Sequence, residues 1–146
     1  MNRCVQVYAQ TGDEKYAARA CDVMRAIIGH YDTYQGFRFV GIDWKAVTYQ
    51  DPAYYMQDMT RAYDMLAASS SLTLEDRLRF VCFSLDLGEF QYLAIRDRFE
   101  ARENWAANSL AEIVLLAWYF QGFPEAEQWV AMADERIASC YDLFLP

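Results

Sequence analysis

The stretch Arg102-Glu103-Asn104-Trp105, continuing through Ala106 to Phe120 and closing at Gly122-Phe123-Pro124, decides how the chain is read. After Trp105 only Asn108, Ser109 and Glu112 interrupt an apolar series that ends in Ile113-Val114-Leu115-Leu116-Ala117-Trp118-Tyr119-Phe120. Such a run predicts a helix that is apolar around most of its circumference, and helices of that kind are buried. Its entrance is polar. A side chain with a chemical task fits best at that doorway, and Asn104 is the candidate.

The flanking sequence predicts more helices. Residues 3 to 10 read as the end of a helix, and Thr11-Gly12-Asp13-Glu14 as a turn with Thr11 and Glu14 at capping-box spacing. A helix over 14–30 follows, with Tyr16, Ala20, Val23 and Ile27 on one face. From Gly29 to Gln50 the periodicity stops, and an irregular connection rich in glycine and aromatics is expected. Asp51-Pro52 is an N-cap residue followed by proline at the first helical position. The helix it opens has Met56, Met59, Ala62, Tyr63 and Leu66 inward. Thr73, with Asp76 three residues on, caps the next, whose inner positions are read as Leu78, Val81, Cys82, Leu85, Phe90 and Leu93, with Gly88 as a place where it bends or divides. After Pro124 a last helix reaches about Tyr141, with Trp129, Met132, Ala133, Ile137 and Cys140 inward.

The fold class is therefore all-α, a single helical domain over 1–146 made of stacked antiparallel helical hairpins. Such hairpins build a solenoid, a bundle or a closed toroid, and periodicity does not choose among them.

Apolar residues make up 55% of the chain and aromatics 16%. That is rich for a domain of 146 residues, and it predicts apolar surface for a partner, a further segment or self-association to cover. Leu143-Phe144-Leu145-Pro146 adds no polar tail, so the expectation is a fragment of a larger domain. The net charge of −8 argues against a general nucleic-acid binder, which needs a basic footprint. No apolar run reaches the roughly 18 residues of a membrane helix. Cys4, Cys21, Cys82 and Cys140 are widely spaced with no C-x-x-C pair, and one histidine, His30, accompanies them. They read as small core residues, with no metal site and no cofactor expected. His30 closes a predicted helix beside Gly29, a common structural place for a histidine.

Taken in order, Tyr8-Ala9-Gln10-Thr11-Gly12-Asp13-Glu14-Lys15-Tyr16, Tyr63-Asp64-Met65-Leu66, Arg102-Glu103-Asn104-Trp105 and Phe123-Pro124-Glu125-Ala126 with Trp129 resemble the α/α-toroid domain of polysaccharide lyases. The likeness is to the heparinase II/III-like and oligoalginate lyase group, with its "TGD-x-x-Y" turn, "YD-x-L" helix end, and asparagine motif before "FPEA-x-x-W". It spans nearly the whole chain. Glu103-Asn104-Trp105 stands where many members have Asn-Asn-His, so Asn104 alone carries over. The resemblance implies an incomplete α/α toroid, with the catalytic tyrosine and histidine mainly beyond this stretch, and a periplasmic or secreted setting.

It also implies β-elimination on uronic-acid-containing glycans, with an acidic polysaccharide or oligosaccharide as partner. Removing the proton at C5 develops negative charge that a hydrogen-bond donor must stabilise, as in an oxyanion hole. The Asn104 amide suits that task, and a helix N-terminus nearby favours the same charge. Asparagine at such a place is equally a helix cap. Arg102 is the one member of the group Arg96, Arg98 and Arg102 read as carboxylate-binding, because Asp97, Glu100 and Glu103 are interleaved to pair with the others. Trp105, beside Asn104, and Trp44, Tyr49 and Tyr55, around the irregular connection and the next helix start, are the aromatic candidates for sugar subsites. Two rivals stand: a glycoside hydrolase on a related toroid, needing paired carboxylates from candidates such as Asp43, Asp51 and Asp58, and a non-catalytic helical-repeat interaction module.

Overall fold

The computed structural model describes residues 1–33, 50–98 and 104–144. They form six helices in chain order: α1 (Asn2–Thr11), α2 (Glu14–Thr33), α3 (Gln50–Met65), α4 (Leu74–Arg98), α5 (Asn104–Tyr119) and α6 (Pro124–Phe144). Among the described residues there is no strand, so the all-α class holds. The chain divides into two compact units that are interleaved in sequence, Met1–Trp44 with Asp58–Phe83, and Lys45–Gln57 with Ser84–Pro146.

In the first unit α1 and α2 form a tight hairpin. Gly12 closes α1 with φ 67° and ψ 8°, and its N–H donates to the Tyr8 carbonyl at 2.7 Å. Only glycine takes that left-handed conformation without cost from a Cβ. The Thr11/Glu14 capping box does not form. Thr11 is the last residue of α1, where its hydroxyl donates to the Val7 carbonyl. Asp13 caps α2 instead, its Oδ1 accepting from the Lys15 N–H at 3.1 Å.

The inner face of α2 is Ala17, Ala20, Cys21, Met24 and Ile28. It is turned slightly from the expected one, so that Tyr16, Val23 and Ile27 lie half-buried at its edges. Met59, Ala62 and Leu66 of α3 are buried as the periodicity predicts, and Tyr63 stacks on Phe80 with ring centroids 4.2 Å apart.

Helix α4 departs most from the sequence reading. Gly88 does not divide it, and the helix is continuous from Leu74 to Arg98. Its buried residues are Phe80, Phe83, Ser84, Leu87, Phe90, Gln91 and Ile95. At 100° per residue the expected inner series Leu78, Val81, Cys82 and Leu85 falls on the opposite side of the helix. Accordingly Leu78 is 59% exposed and Leu74 71%, Val81 and Leu85 are half-buried, and Cys82 is exposed. The helix has two apolar faces, and the core takes the one with the phenylalanines.

The second unit contains the α5–α6 hairpin. Phe120 to Phe123 make the turn, with Gly122 at φ 96° and the Phe123 N–H donating to the Phe120 carbonyl at 3.0 Å. Pro124 then opens α6 at the one helical position where a missing N–H costs nothing.

Helix α5 is apolar in composition yet one-sided in burial. Ser109, Leu110, Glu112, Ile113, Leu116 and Ala117 are buried, as is Phe120 just after the helix, whereas Ala107, Ala111, Val114 and Trp118 are exposed. The expectation of burial around most of the circumference is thus corrected: Trp118 is 63% exposed. On α6 Trp129, Met132 and Ala133 point inward as expected, joined by Ala126, but Ile137 is exposed, and the Cys140 side chain lies outside the described residues. These two tryptophans give a direct check. With the chain's other two tryptophans, Trp44 and Trp105, replaced by phenylalanine, Trp118 fluorescence should be quenched readily by acrylamide and Trp129 fluorescence hardly at all. Equal quenching of the two would contradict the orientation of the hairpin.

Candidate functional site

The doorway anticipated from sequence is the start of α5. Asn104 is the first residue of this 16-residue helix and Trp105 the second. Tyr55 lies in the first half of α3, within the same compact unit. The side chains of Asn104, Trp105 and Tyr55 lie outside the described residues, as do Arg102, Trp44 and Tyr49 altogether. The backbone arrangement alone contributes a helix N-terminus, whose first N–H groups have no intrahelical acceptor and favour negative charge.

Two sets of polar residues lie among the helices. The first ties α2 to the start of α4 within the first unit. Arg25 meets Asp76 in a bidentate pair, Nε donating to Oδ1 at 2.8 Å and Nη2 to Oδ2 at 2.7 Å. The guanidinium also donates to the Ser71 carbonyl and to Asp22. Asp76 closes a capping box as well: the Thr73 N–H donates to Asp76 Oδ2 at 3.0 Å, and the Asp76 N–H donates to Thr73 Oγ1 at 3.2 Å. The Thr73/Asp76 spacing was legible in the sequence; the distant Arg25 was not. Arg25 beside it, and then the Thr73 hydrogen bonds, hold the Asp76 carboxyl well below the usual carboxylate range.

A neighbouring network fixes the loop between α3 and α4. Glu14 Oε2 accepts from the Ser69 hydroxyl at 2.7 Å and the Ser71 hydroxyl at 2.8 Å. These bonds, that from Ser69 foremost, hold the Glu14 carboxyl below its ordinary range. Carboxyl-detected NMR should therefore show Glu14 titrating at lower pH than a free glutamate, and Ser69→Ala should move it back toward the ordinary value. An unchanged titration in Ser69→Ala would show that the bond is not made.

Neither network offers a reactive group. Beside Arg25, Cys21, Met24, Ile28, Leu72, Asp76 and Arg79 line a cavity with room for about one water molecule. Burial pushes the Cys21 thiol up, away from the thiolate that a nucleophile needs. Arg25 is occupied by Asp76. This is a structural tie.

The second set is four buried polar residues of the second unit, two on α4 and two on α5. Ser84 and Gln91 on α4 and Ser109 and Glu112 on α5 are each 1% exposed or less. Ser84 and Gln91 are seven residues apart, two turns along one helix face, with Gly88 between them. Ser109 and Glu112 are likewise neighbours at i, i+3. The sequence did hold a signal for the latter pair, because they are two of the three polar interruptions in the apolar run of α5. A fully buried carboxyl either finds a polar partner or takes up a proton.

Trp129 of α6 lies against Gly88 of α4 so closely that a Cβ placed there would come within 2.3 Å of the indole ring. The glycine singled out in the sequence gives this ring its slot.

Among the described residues no group of three or more histidine, cysteine or acidic side chains can hold a metal ion, and no helix is long and apolar enough to cross a membrane. His30 stands in the last turn of α2, as expected for a helix-end histidine. Cys21 is buried, Cys4 half-buried and Cys82 exposed, so the reading of all cysteines as core residues fails at Cys82. Compared with protein-family models, with curated proteins and with solved structures, the chain matches none.

Proposed function

We propose that this chain is part of an α/α-toroid polysaccharide lyase that cleaves uronic-acid-containing glycans by β-elimination, with Asn104 as the neutraliser of the substrate carboxylate. The observation that carries the reading is the opening of α5 at Asn104. A helix N-terminus favours developing negative charge nearby, and the neutralising role itself is carried over from the family's asparagine motif. The succession of helices in hairpins agrees with a toroid wall, and the motifs run in the family's order along the chain. In this reading Arg102 binds the carboxylate, Trp105, Trp44, Tyr49 and Tyr55 supply sugar-stacking faces, and the protein works in the periplasm or outside the cell on an acidic polysaccharide or oligosaccharide.

The test is Asn104→Ala in the full-length protein, read as ultraviolet absorbance of the unsaturated product. Loss of one such donor should lower kcat by about 10²–10³-fold with the fold intact by circular dichroism. Full turnover in the variant would remove Asn104 from the mechanism, and a saturated product from the unaltered protein would replace the lyase by a hydrolase.

A second reading, a helical interaction module without catalysis, has its own observation. Leu74, Leu78 and Trp118 are each more than half exposed, at 71%, 59% and 63%, and exposed apolar side chains in helical rows suit a protein partner or a second copy. Concentration-dependent sedimentation of the isolated chain supports that reading; a strict monomer at high concentration counts against self-association.

A further inference from the structure

We draw no further inference here: the strongest candidate, the exposed apolar stripe of Leu74, Leu78 and Cys82 along the N-terminal half of α4, carries nothing because nothing in the structure shows what covers it.

Discussion

Gly88→Ala should lower the stability of the protein by about 2 kcal/mol, although alanine is the better helix former. In an exposed helix the exchange would gain about 1 kcal/mol. Here the new methyl carbon would stand 2.3, 2.7 and 2.8 Å from three atoms of the Trp129 ring. The ring is 1% exposed and planar, so it cannot yield as the tip of a flexible chain would. Overpacking of this kind costs about 1–3 kcal/mol, and the rigidity of the indole puts this site at the upper end. Chemical denaturation of the variant measures the loss. The double variant Gly88→Ala with Trp129→Phe distinguishes a clash from a general defect: a shorter ring makes room, so the two effects should fall short of their sum by at least about 1 kcal/mol. Strict additivity, or a stabilised Gly88→Ala, would refute the contact.

The second large effect belongs to Asp76. Asp76→Ala removes the half of the α4 capping box in which Asp76 Oδ2 accepts from the Thr73 N–H and hydroxyl, at about 1 kcal/mol or less, and strips Arg25 of a bidentate, charge-assisted partner. Hydrogen bonds to charged groups contribute about 1.5–3 kcal/mol. The Arg25 side chain is 39% exposed, however, so water takes over much of what the carboxylate gave. A total loss of about 2–3 kcal/mol is expected, with Arg25→Ala costing less because the Thr73 cap survives.

The same pair sets an acid dependence. The Asp76 carboxyl titrates lower in the folded protein than in the unfolded chain. Its stabilising contribution is therefore fully present above the unfolded value near 4, and is lost as pH falls below it. Urea unfolding followed from pH 6 down to pH 2 should show a fall in stability that is shallower in Asp76→Asn. Parallel curves for the two proteins would show that Asp76 has no special part in it.

Much of the helical plan is written in short-range signals. Thr73 with Asp76 and Gly122-Phe123-Pro124 mark boundaries because capping and turn chemistry depend on neighbouring residues alone, whereas Asp51 and Pro52, read as a cap and a first helical position, lie inside α3, which includes Gln50. Thr11 with Glu14 has the same spacing and fails as a box, because Gly12 in its left-handed conformation ends α1 there and leaves the cap to Asp13.

Which face of a helix lies inside is a different question, decided by contacts far along the chain. In α4 the series Leu74, Leu78, Leu85 and the series Phe80, Phe83, Leu87 are both apolar, and the packing of other helices, such as Tyr63 of α3 stacked on Phe80, marks the inner one. In α5 an apolar composition says nothing of direction, and Val114 and Trp118 face outward. At the candidate site the position of Asn104 at a helix entrance was legible. Its chemistry rests on a resemblance, because an asparagine at a helix start looks the same whether it caps or catalyses.

The pair of Arg25 and Asp76 also bears on the order in which the chain acquires its structure. These residues are 51 positions apart, and Glu14 lies 55 from Ser69. Closing a loop of that length costs roughly 2 kcal/mol more in chain entropy than closing a turn of about four residues such as those joining α1 to α2 or α5 to α6. The two hairpins are thus the inexpensive early contacts, and the cap of α4 can form with them. The Arg25 bridge comes late, so its loss should accelerate unfolding and leave the folding rate nearly unchanged.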